Sequence, residues 1–316
     1  MSNVENRFPN FFLVGAPKCG TSAMSEYLRS HPDIFMCQPK EPHFFSTDFS
    51  KIRCVRTQKQ YLALFKGSEI ERIRGEASAS YLYSSKAIKN LYEFNPQAKL
   101  LVMLRNPVDM VYSLHSEFLF NGYETEKDFE KAWSLQEQRR TGSFIPRTCL
   151  EPSFLQYRDH ANYAEQLTRL FSYFPREQVK TIIFDDFIKD TRSVYQQVLS
   201  FLDIPSDNRT SFPKVNARKQ ARAHWLDTPL QLIRPYKRIW YPWIRTLKSL
   251  VKIEKRSITS NINLARVQTT DRQIIAPELR RELESVFSSD ISQLSQIINQ
   301  DLDCWLTIYR NQKKTF

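Results

Sequence analysis

The sequence predicts an α/β fold in which helices flank a central parallel sheet. Three short runs, at residues 11–15, 99–104 and 179–184, are mainly apolar, as in strands that are buried on both faces. The segments between them carry apolar residues at helical spacing, so strands and helices alternate and right-handed crossovers are expected. No shift in composition marks a linker within the 316 residues, and we therefore predict a single domain, 1–316.

The first apolar run ends in a turn at residues 15–22 (GAPKCGTS), which leads into a predicted helix. Gly20 lets the backbone approach an anion closely, and the free N–H groups at a helix N-terminus favour negative charge. The turn therefore predicts a phosphate site in a P-loop-like sheet, although an ordinary strand-to-helix connection is the alternative. In a nucleoside triphosphatase P-loop the lysine follows the second glycine, whereas Lys18 precedes it.

Shorter segments supply the elements between the first two strands. Residues 34–36 follow a turn at 31–33 (HPD) and predict a short strand. Residues 73–83 predict a strand and the loop after it, and they contain Glu76. Apolar residues at helical spacing predict helices over 57–65 and 84–94.

The run at 99–104 is followed by Arg105 and by Pro107, which fits the first position of a helix over 107–119. Arg105 would then lie at the carboxyl end of a strand, and Ser113 about two turns along the helix. Ligands of doubly wound sheets bind beyond the carboxyl ends of the strands. Both side chains are therefore candidates to bind an anionic group, although a strand-terminal arginine can also be a surface residue.

Helices dominate the rest of the chain. Apolar spacing predicts them over 127–140, 152–174 and 191–202. A basic and aromatic segment at 225–265 is divided by prolines into short pieces. We interpret it as a helical insert with a solvated basic face, or as a lid over an acceptor site. Binding of this segment to an anionic membrane surface or to nucleic acid is the remaining alternative.

The chain is strongly basic, with a formal net charge of +12 and an isoelectric point near 9.4. This charge suits an anionic ligand. We expect no nucleic-acid partner, and peripheral contact with a membrane stays open. The five cysteines show no paired spacing, which indicates neither zinc nor disulfides and favours a reducing compartment. Since residues 1–10 lack the apolar core of a signal peptide and no long apolar run follows, we expect a cytoplasmic protein without a transmembrane segment.

Together these residues resemble the sulfotransferases that use 3′-phosphoadenosine 5′-phosphosulfate (PAPS). Residues 17–22 resemble the family's 5′-phosphosulfate loop, and Arg105 with Ser113 resembles its 3′-phosphate element. Residues 40–45 (KEPHFF) and 75–82 (GEASASYL) are similar to the heparan sulfate and bacterial branch of that family, as is the segment 279–305. The resemblance implies the sulfotransferase fold, PAPS as donor, adenosine 3′,5′-bisphosphate (PAP) as product, and no metal.

The resemblance also implies a donor site. Lys18 would hold the 5′-phosphate and stabilise the bridging oxygen as its bond to sulfur breaks. Arg218 and Lys219 resemble a later basic loop that closes over the 3′-phosphate. The residues expected to bind PAPS are Lys18, Cys19, Gly20, Thr21, Ser22, Arg105, Ser113, Arg218 and Lys219, with Cys19 acting through its backbone N–H.

For the acceptor, the resemblance implies Glu41 as general base and His43 as its partner. Alternatively, Glu41 pairs with Lys40 or Arg53 and His43 is a core histidine. Glu76 is a rival base. The chain departs from the heparan branch after this glutamate, where Ala77 replaces an active-site lysine.

A second departure follows the two phenylalanines, where Ser46 replaces an acid and Asp48 lies nearby. The sequence thus predicts a PAPS-dependent sulfotransferase of secondary metabolism that acts on a hydroxyl or amine of a small natural product. Sulfation of a carbohydrate or glycolipid is the alternative for the acceptor. An ATP-dependent P-loop kinase and a basic scaffold protein without catalytic activity are the alternative function classes.

Overall fold

The computed structural model describes residues 8–68, 70–213, 215, 220–221, 267–268 and 275–306. Three expectations fall outside these residues: the insert at 225–265, Arg218 and Lys219. The chain divides into two compact units. The first comprises Met1–Val111, Arg158–Val215 and Ile275–Phe316, and the second comprises Tyr112–Tyr157 and Asn216–Ile274. The single domain over 1–316 stays a prediction.

The first unit is built on five parallel strands. They lie in the order β2-β3-β1-β4-β5, with β1 in the middle. Their bounds are β1 Phe11–Gly15, β2 Ile34–Met36, β3 Ile73–Ala77, β4 Lys99–Leu104 and β5 Val179–Ile183. This confirms the predicted α/β fold with a central parallel sheet. Because all five strands are parallel, their carboxyl ends meet at one edge.

The inner strands β1 and β4 are almost entirely apolar, as expected for strands that are buried on both faces. Residues 11–14 (FFLV) are fully buried, as are residues 100–104 of β4. Gly15 ends β1 where the chain after β3 approaches closely: a Cβ added at Gly15 would lie 2.5 Å from Cβ of Leu82. A glycine is therefore required where β1 enters the phosphate turn.

Helices connect the strands as the sequence predicts. Those of the first unit are α1 Thr21–Arg29, α2 Gln58–Leu62, α3 Ala87–Phe94, α8 Tyr163–Phe171, α9 Phe184–Lys189, α10 Thr191–Phe201 and α11 Pro277–Ile298, with short 3-10 turns at Ala63–Phe65, Arg176–Gln178 and Asp303–Trp305. Helix α4, Pro107–Asn121, begins in this unit and continues into the second. Within the described part of the chain, no helix has the length and apolar character needed to span a bilayer.

The prediction of a single helix over 152–174 is wrong. The segment forms a 3-10 turn at Pro152–Leu155, the short α7 at Tyr157–His160, and then α8. Helix α8 starts afresh because the Asp290 carboxylate accepts hydrogen bonds from the first two N–H groups of that helix, at 3.1 and 3.0 Å. The strand predicted over 179–184 also ends one residue early, where α9 begins.

The second unit contains α5 Phe129–Ser134 and α6 Gln136–Arg140, where one helix over 127–140 was predicted. It also includes a short antiparallel ladder of β6 Gln220–Ala221 and β7 Val267–Gln268. Its buried polar centre is an ion pair: both guanidinium Nη atoms of Arg139 donate to the Glu124 carboxylate, at 2.6 and 2.8 Å. The Tyr157 hydroxyl donates to the same carboxylate at 2.8 Å.

Candidate active site

The predicted phosphate turn joins β1 to the N-terminus of α1. Gly20 occupies the N-cap with φ 87°, and Lys18 also has a positive φ of 63°. A Cβ added at Gly20 would lie 3.1 Å from the ring of Phe184, a tight contact at a φ that disfavours any side chain. The first turn of α1 carries no acidic residue and no side-chain cap. Its free N–H groups are therefore suited to an anion.

Arg105 reaches this turn from the end of the neighbouring strand β4. Its Nη1 donates to the backbone carbonyl of Lys18 at 3.4 Å, and its guanidinium carbon lies 4.9 Å from the ring centre of Phe184. The ring of Phe184 thus lies against both Gly20 and Arg105. The carboxyl ends of β1, β4 and β5 bring the two predicted phosphate-binding elements together at one edge of the sheet.

The Cys19 thiol is fully buried beside this turn. It donates to the Pro17 carbonyl at 3.3 Å and lies 3.8 Å from the Tyr163 hydroxyl. Burial raises the pKa of Cys19 to about 12, although Tyr163, Arg105 and Lys18 act in the opposite direction. The thiol is therefore protonated near neutral pH, and the contribution of Cys19 through its backbone N–H stays a prediction.

Two other parts of the predicted donor site stay predictions. Ser113 lies on α4, in the part of that helix that belongs to the second unit. Arg218 and Lys219 lie outside the described residues. Thr21 and Ser22 open α1, as predicted, and the side chain of Thr21 is buried.

The predicted acceptor loop, residues 40–45, lies next to the end of β3. Glu41 and His43 have positive φ angles of 60° and 53°, which non-glycine residues rarely adopt. The Glu41 N–H donates to the Ala77 carbonyl at 2.9 Å, which ties this loop to the strand. The loop therefore holds its two candidate residues in a strained backbone that surrounding contacts must support.

Glu41 is held ionised by its neighbours. The Lys40 ammonium donates to Oε1 at 2.7 Å, and Nε2 of His43 lies 3.5 Å from Oε2. Burial opposes ionisation, but Lys40 and the hydrogen bond from His43 outweigh it and hold the pKa of Glu41 well below its usual value. The carboxylate is therefore charged, and the Glu41 side chain as a whole is 36% exposed.

The imidazole of His43 is fixed at both nitrogens. Nδ1 lies 2.9 Å from the Ser80 hydroxyl, and Nε2 faces the Glu41 carboxylate. The ring is almost fully buried. The pairing of Glu41 with Lys40 that the sequence left as an alternative is present, together with the contact to His43. Arg53 instead lies over the ring of Phe44.

Glu76 is close to this loop but has no access to solvent. The Tyr61 hydroxyl donates to Oε2 at 2.5 Å, and the Ser78 hydroxyl donates to Oε1 at 2.7 Å. Burial raises the pKa of Glu76 to about 7, against the lowering effect of hydrogen bonds from Tyr61, Ser78 and Tyr81. The carboxyl that rivals Glu41 is thus enclosed by hydroxyl groups.

Ser46 and Asp48, which follow the acceptor loop, both form hydrogen bonds within the protein. Asp48 accepts hydrogen bonds from the hydroxyl of Ser84 at 2.6 Å and from the N–H of Ser85 at 2.9 Å. The Ser46 hydroxyl donates to the His43 carbonyl at 3.3 Å. The Asp48 contacts thus attach the chain after the acceptor loop to the segment that precedes α3, whereas the Ser46 contact lies next to the loop itself.

Sequence reasoning missed three side chains of this edge. Phe184 appeared only as an apolar strand residue, and Ser80 and Tyr61 were not singled out. The one available signal for Phe184 was its position at the carboxyl end of a predicted strand. Nothing in the sequence connects Tyr61 with Glu76.

A family model for the sulfotransferase domain matches residues 8–229. Carbohydrate sulfotransferase 15 of Rattus norvegicus is 26% identical over 62% of this chain and 44% of its own length. Heparan sulfate glucosamine 3-O-sulfotransferase 5 of Mus musculus is 24% identical over 65% of this chain and 56% of its own. The match therefore spans about half of the length of these curated relatives.

Among solved structures, a sulfotransferase from Alicyclobacillus acidocaldarius is 29% identical and superposes with a TM-score of 0.68. The match covers 94% of this chain and 98% of that protein. These findings confirm the resemblance that the two phosphate-binding motifs carry. Since the family model covers well over half of the chain, the chain belongs to the sulfotransferase domain family and has its fold.

Proposed function

We propose that this protein transfers the sulfuryl group of PAPS to a hydroxyl or amine of an acceptor. The observation that carries the proposal is the contact between Arg105 and the Lys18 turn at the carboxyl edge of the sheet. Two cationic side chains there could bind the two ends of one nucleotide. The coverage of the family model supports the same activity.

The residues of this edge fit a nucleotide with phosphate groups at both ends. Lys18 and the first N–H groups of α1 would hold the 5′-phosphate, in a turn that Gly20 keeps free of side chains. Arg105, supported by the ring of Phe184, would hold the 3′-phosphate. We propose that Ser113, Arg218 and Lys219 complete that second site.

PAPS supplies the electrophilic sulfur when it is bound. Glu41 is charged and its side chain is partly exposed, and we propose that its carboxylate takes up the proton of the acceptor. As the acceptor oxygen or nitrogen bonds to sulfur, the bond from sulfur to the bridging oxygen of PAP breaks, and Lys18 stabilises the charge that develops on that oxygen. The proton passes to Glu41, with His43 keeping this carboxylate oriented.

A small natural product of secondary metabolism is our proposed acceptor, and a carbohydrate is the second candidate. The names of two relatives, carbohydrate sulfotransferase 15 and heparan sulfate glucosamine 3-O-sulfotransferase 5, favour the carbohydrate. Ala77 favours the small molecule, because it stands where the heparan branch has an active-site lysine. A cytoplasmic location and turnover without a metal also stay predictions.

Turnover tests this proposal directly. The purified protein is incubated with PAPS and with phenols, hydroxylated natural products, amines and oligosaccharides, and mass spectrometry records any product heavier by one SO3 group. We expect such a product in one class, and its loss in Lys18→Ala. Lys89→Ala is the matched control, because it removes an exposed lysine on α3. This variant should behave as wild type.

Two results would contradict the proposal. The first is transfer from ATP with magnesium but not from PAPS, which would indicate a kinase. The second is a Lys18→Ala variant that retains full turnover with PAPS.

A further inference from the structure

A buried carboxylate lies beneath the acceptor loop, and the mechanism above does not use it. We propose that Glu76 is a positioning residue that acts through Ser78 and Tyr81 to fix the backbone of the loop at His43 and Phe45. The proposal rests on the proposed function, because that function assigns proton transfer to Glu41 and His43 in this loop. It concerns how the loop is held, and it can be tested without an acceptor.

Three hydroxyl groups are hydrogen-bond partners of the buried Glu76 carboxylate. The carboxylate accepts hydrogen bonds from the Ser78 hydroxyl at 2.7 Å and from the Tyr61 hydroxyl at 2.5 Å. The Tyr81 hydroxyl is a third hydrogen-bond partner. All four side chains are fully buried. Glu76 is thus a shared acceptor for three hydroxyl groups.

Two of these hydroxyls also accept hydrogen bonds from the backbone of the acceptor loop. The backbone N–H of His43 donates to the Ser78 oxygen at 3.3 Å, and the backbone N–H of Phe45 donates to the Tyr81 oxygen at 3.3 Å. The Ser78 hydroxyl directs its single hydrogen to Glu76 while its oxygen accepts from the loop. The Tyr81 hydroxyl has Glu76 and Ser78 as side-chain hydrogen-bond partners, and its oxygen accepts from the loop. Two linked chains of hydrogen bonds therefore run from the loop backbone to one carboxylate.

The backbone of the loop explains why such support is needed. Glu41 and His43 both have positive φ angles, which persist in non-glycine residues only where surrounding contacts support them. The two chains of hydrogen bonds hold the loop at His43 and two residues beyond it, at Phe45. Without them the loop would relax, and the imidazole would move away from the Glu41 carboxylate.

Burial excludes the alternative that Glu76 accepts the proton of the acceptor itself. Its exposure is 0%, whereas the Glu41 side chain is 36% exposed. The ring of Tyr61, which stacks on Phe44 at a centroid distance of 4.4 Å, also packs in this buried region. Glu76 can therefore influence the reaction through the loop but cannot contact an acceptor from this position.

Hydrogen exchange of individual backbone amides, read by NMR, tests the proposal. Glu76→Gln places an amide N–H2 opposite a hydroxyl donor, so it should accelerate exchange at both His43 and Phe45 by about tenfold or more. Ser78→Ala should accelerate exchange more at His43 than at Phe45, and Tyr81→Phe more at Phe45 than at His43, because each variant removes the direct acceptor of one amide. Tyr61→Phe is the matched control, since it removes a donor to Glu76 that leads to neither amide, and both amides should stay protected.

Titration with PAP and the kinetics of turnover complete the test. In Glu76→Gln we expect the affinity for PAP and the KM for PAPS to stay as in wild type while kcat falls, because the donor site lies on other strands. Unchanged protection of both amides in Glu76→Gln would overturn the proposal, as would equal acceleration of exchange in Tyr61→Phe.

Two further outcomes are distinguished by the same measurements. If Glu76→Gln does not fold, Ser78→Ala and Tyr81→Phe test each chain of hydrogen bonds separately, and unchanged exchange in both variants would overturn the proposal. Failure of PAP to bind wild type would instead overturn the proposed function and leave the exchange result intact.

Discussion

Glu41→Gln should reduce sulfuryl transfer by about 10²–10⁴-fold in kcat, the range typical of a lost general base. Glutamine has nearly the shape of glutamate but cannot take up a proton. The KM for PAPS should change little, because Glu41 lies on the acceptor loop and the donor turn follows β1. Steady-state kinetics with the acceptor found by mass spectrometry provide the measurement. Glu93→Gln, an exposed glutamate on α3, is the matched control and should have wild-type rates.

The pH dependence of the same reaction distinguishes Glu41 from Glu76. The pKa of Glu41 is held well below its usual value, so a reaction that uses Glu41 as base keeps its rate through the neutral range. The rate then falls only as the pH drops through that low pKa. If Glu76 were the base, its pKa of about 7 would already halve the rate near pH 7. Full turnover in Glu41→Gln together with loss of turnover in Glu76→Gln would contradict the assignment to Glu41.

The second large effect concerns stability. Glu124→Gln and Arg139→Met should each lower the free energy of unfolding by about 3–5 kcal/mol, because each leaves one buried charge without its partner. The two side chains are 0% and 1% exposed, and two hydrogen bonds join them. Urea unfolding at neutral pH measures the loss. The neighbouring Arg140→Met, which removes an exposed arginine, should change stability by no more than about 0.5 kcal/mol.

A double variant and a pH series extend this prediction. Glu124→Gln combined with Arg139→Met should cost less than the sum of the single variants, since no unpaired charge remains. Burial raises the pKa of Glu124, but the hydrogen bonds from Arg139 and the backbone outweigh it and lower that pKa overall. Because the folded-state pKa is the lower one, this stabilisation is present above the unfolded-state pKa and is lost as the pH falls through the folded-state value. Additive losses in the double variant would contradict a coupled ion pair.

Most of the sheet, and the edge of it where Lys18 and Arg105 lie, could be predicted because both depend on local patterns. The apolar runs at 11–15 and 99–104 have the composition of buried strands, and the carboxyl ends of parallel strands meet at one edge. That rule alone brings Lys18 close to Arg105, and the structure confirms their proximity.

Other features depend on residues far apart in the chain and leave no local signal. Helix α8 begins where Asp290 caps it, more than a hundred residues later, so periodicity over 152–174 could not show the break. The positive φ of Glu41 occurs where the loop is hydrogen-bonded to the end of β3, and glutamate has no preference for that conformation. Long-range packing, which a single sequence does not encode locally, decides both.

We expect Lys18 and Arg105 to bind the two ends of one nucleotide. Isothermal titration calorimetry of PAP against wild type, Lys18→Ala and Arg105→Ala tests it most directly, with Arg281→Ala, an exposed arginine on α11, as the matched control. We predict that PAP binds wild type and Arg281→Ala at one site, and that each of the other two variants binds about 10- to 100-fold more weakly through the loss of charge-assisted hydrogen bonds. Absence of PAP binding to wild type, or wild-type affinity in Arg105→Ala, would contradict the claim.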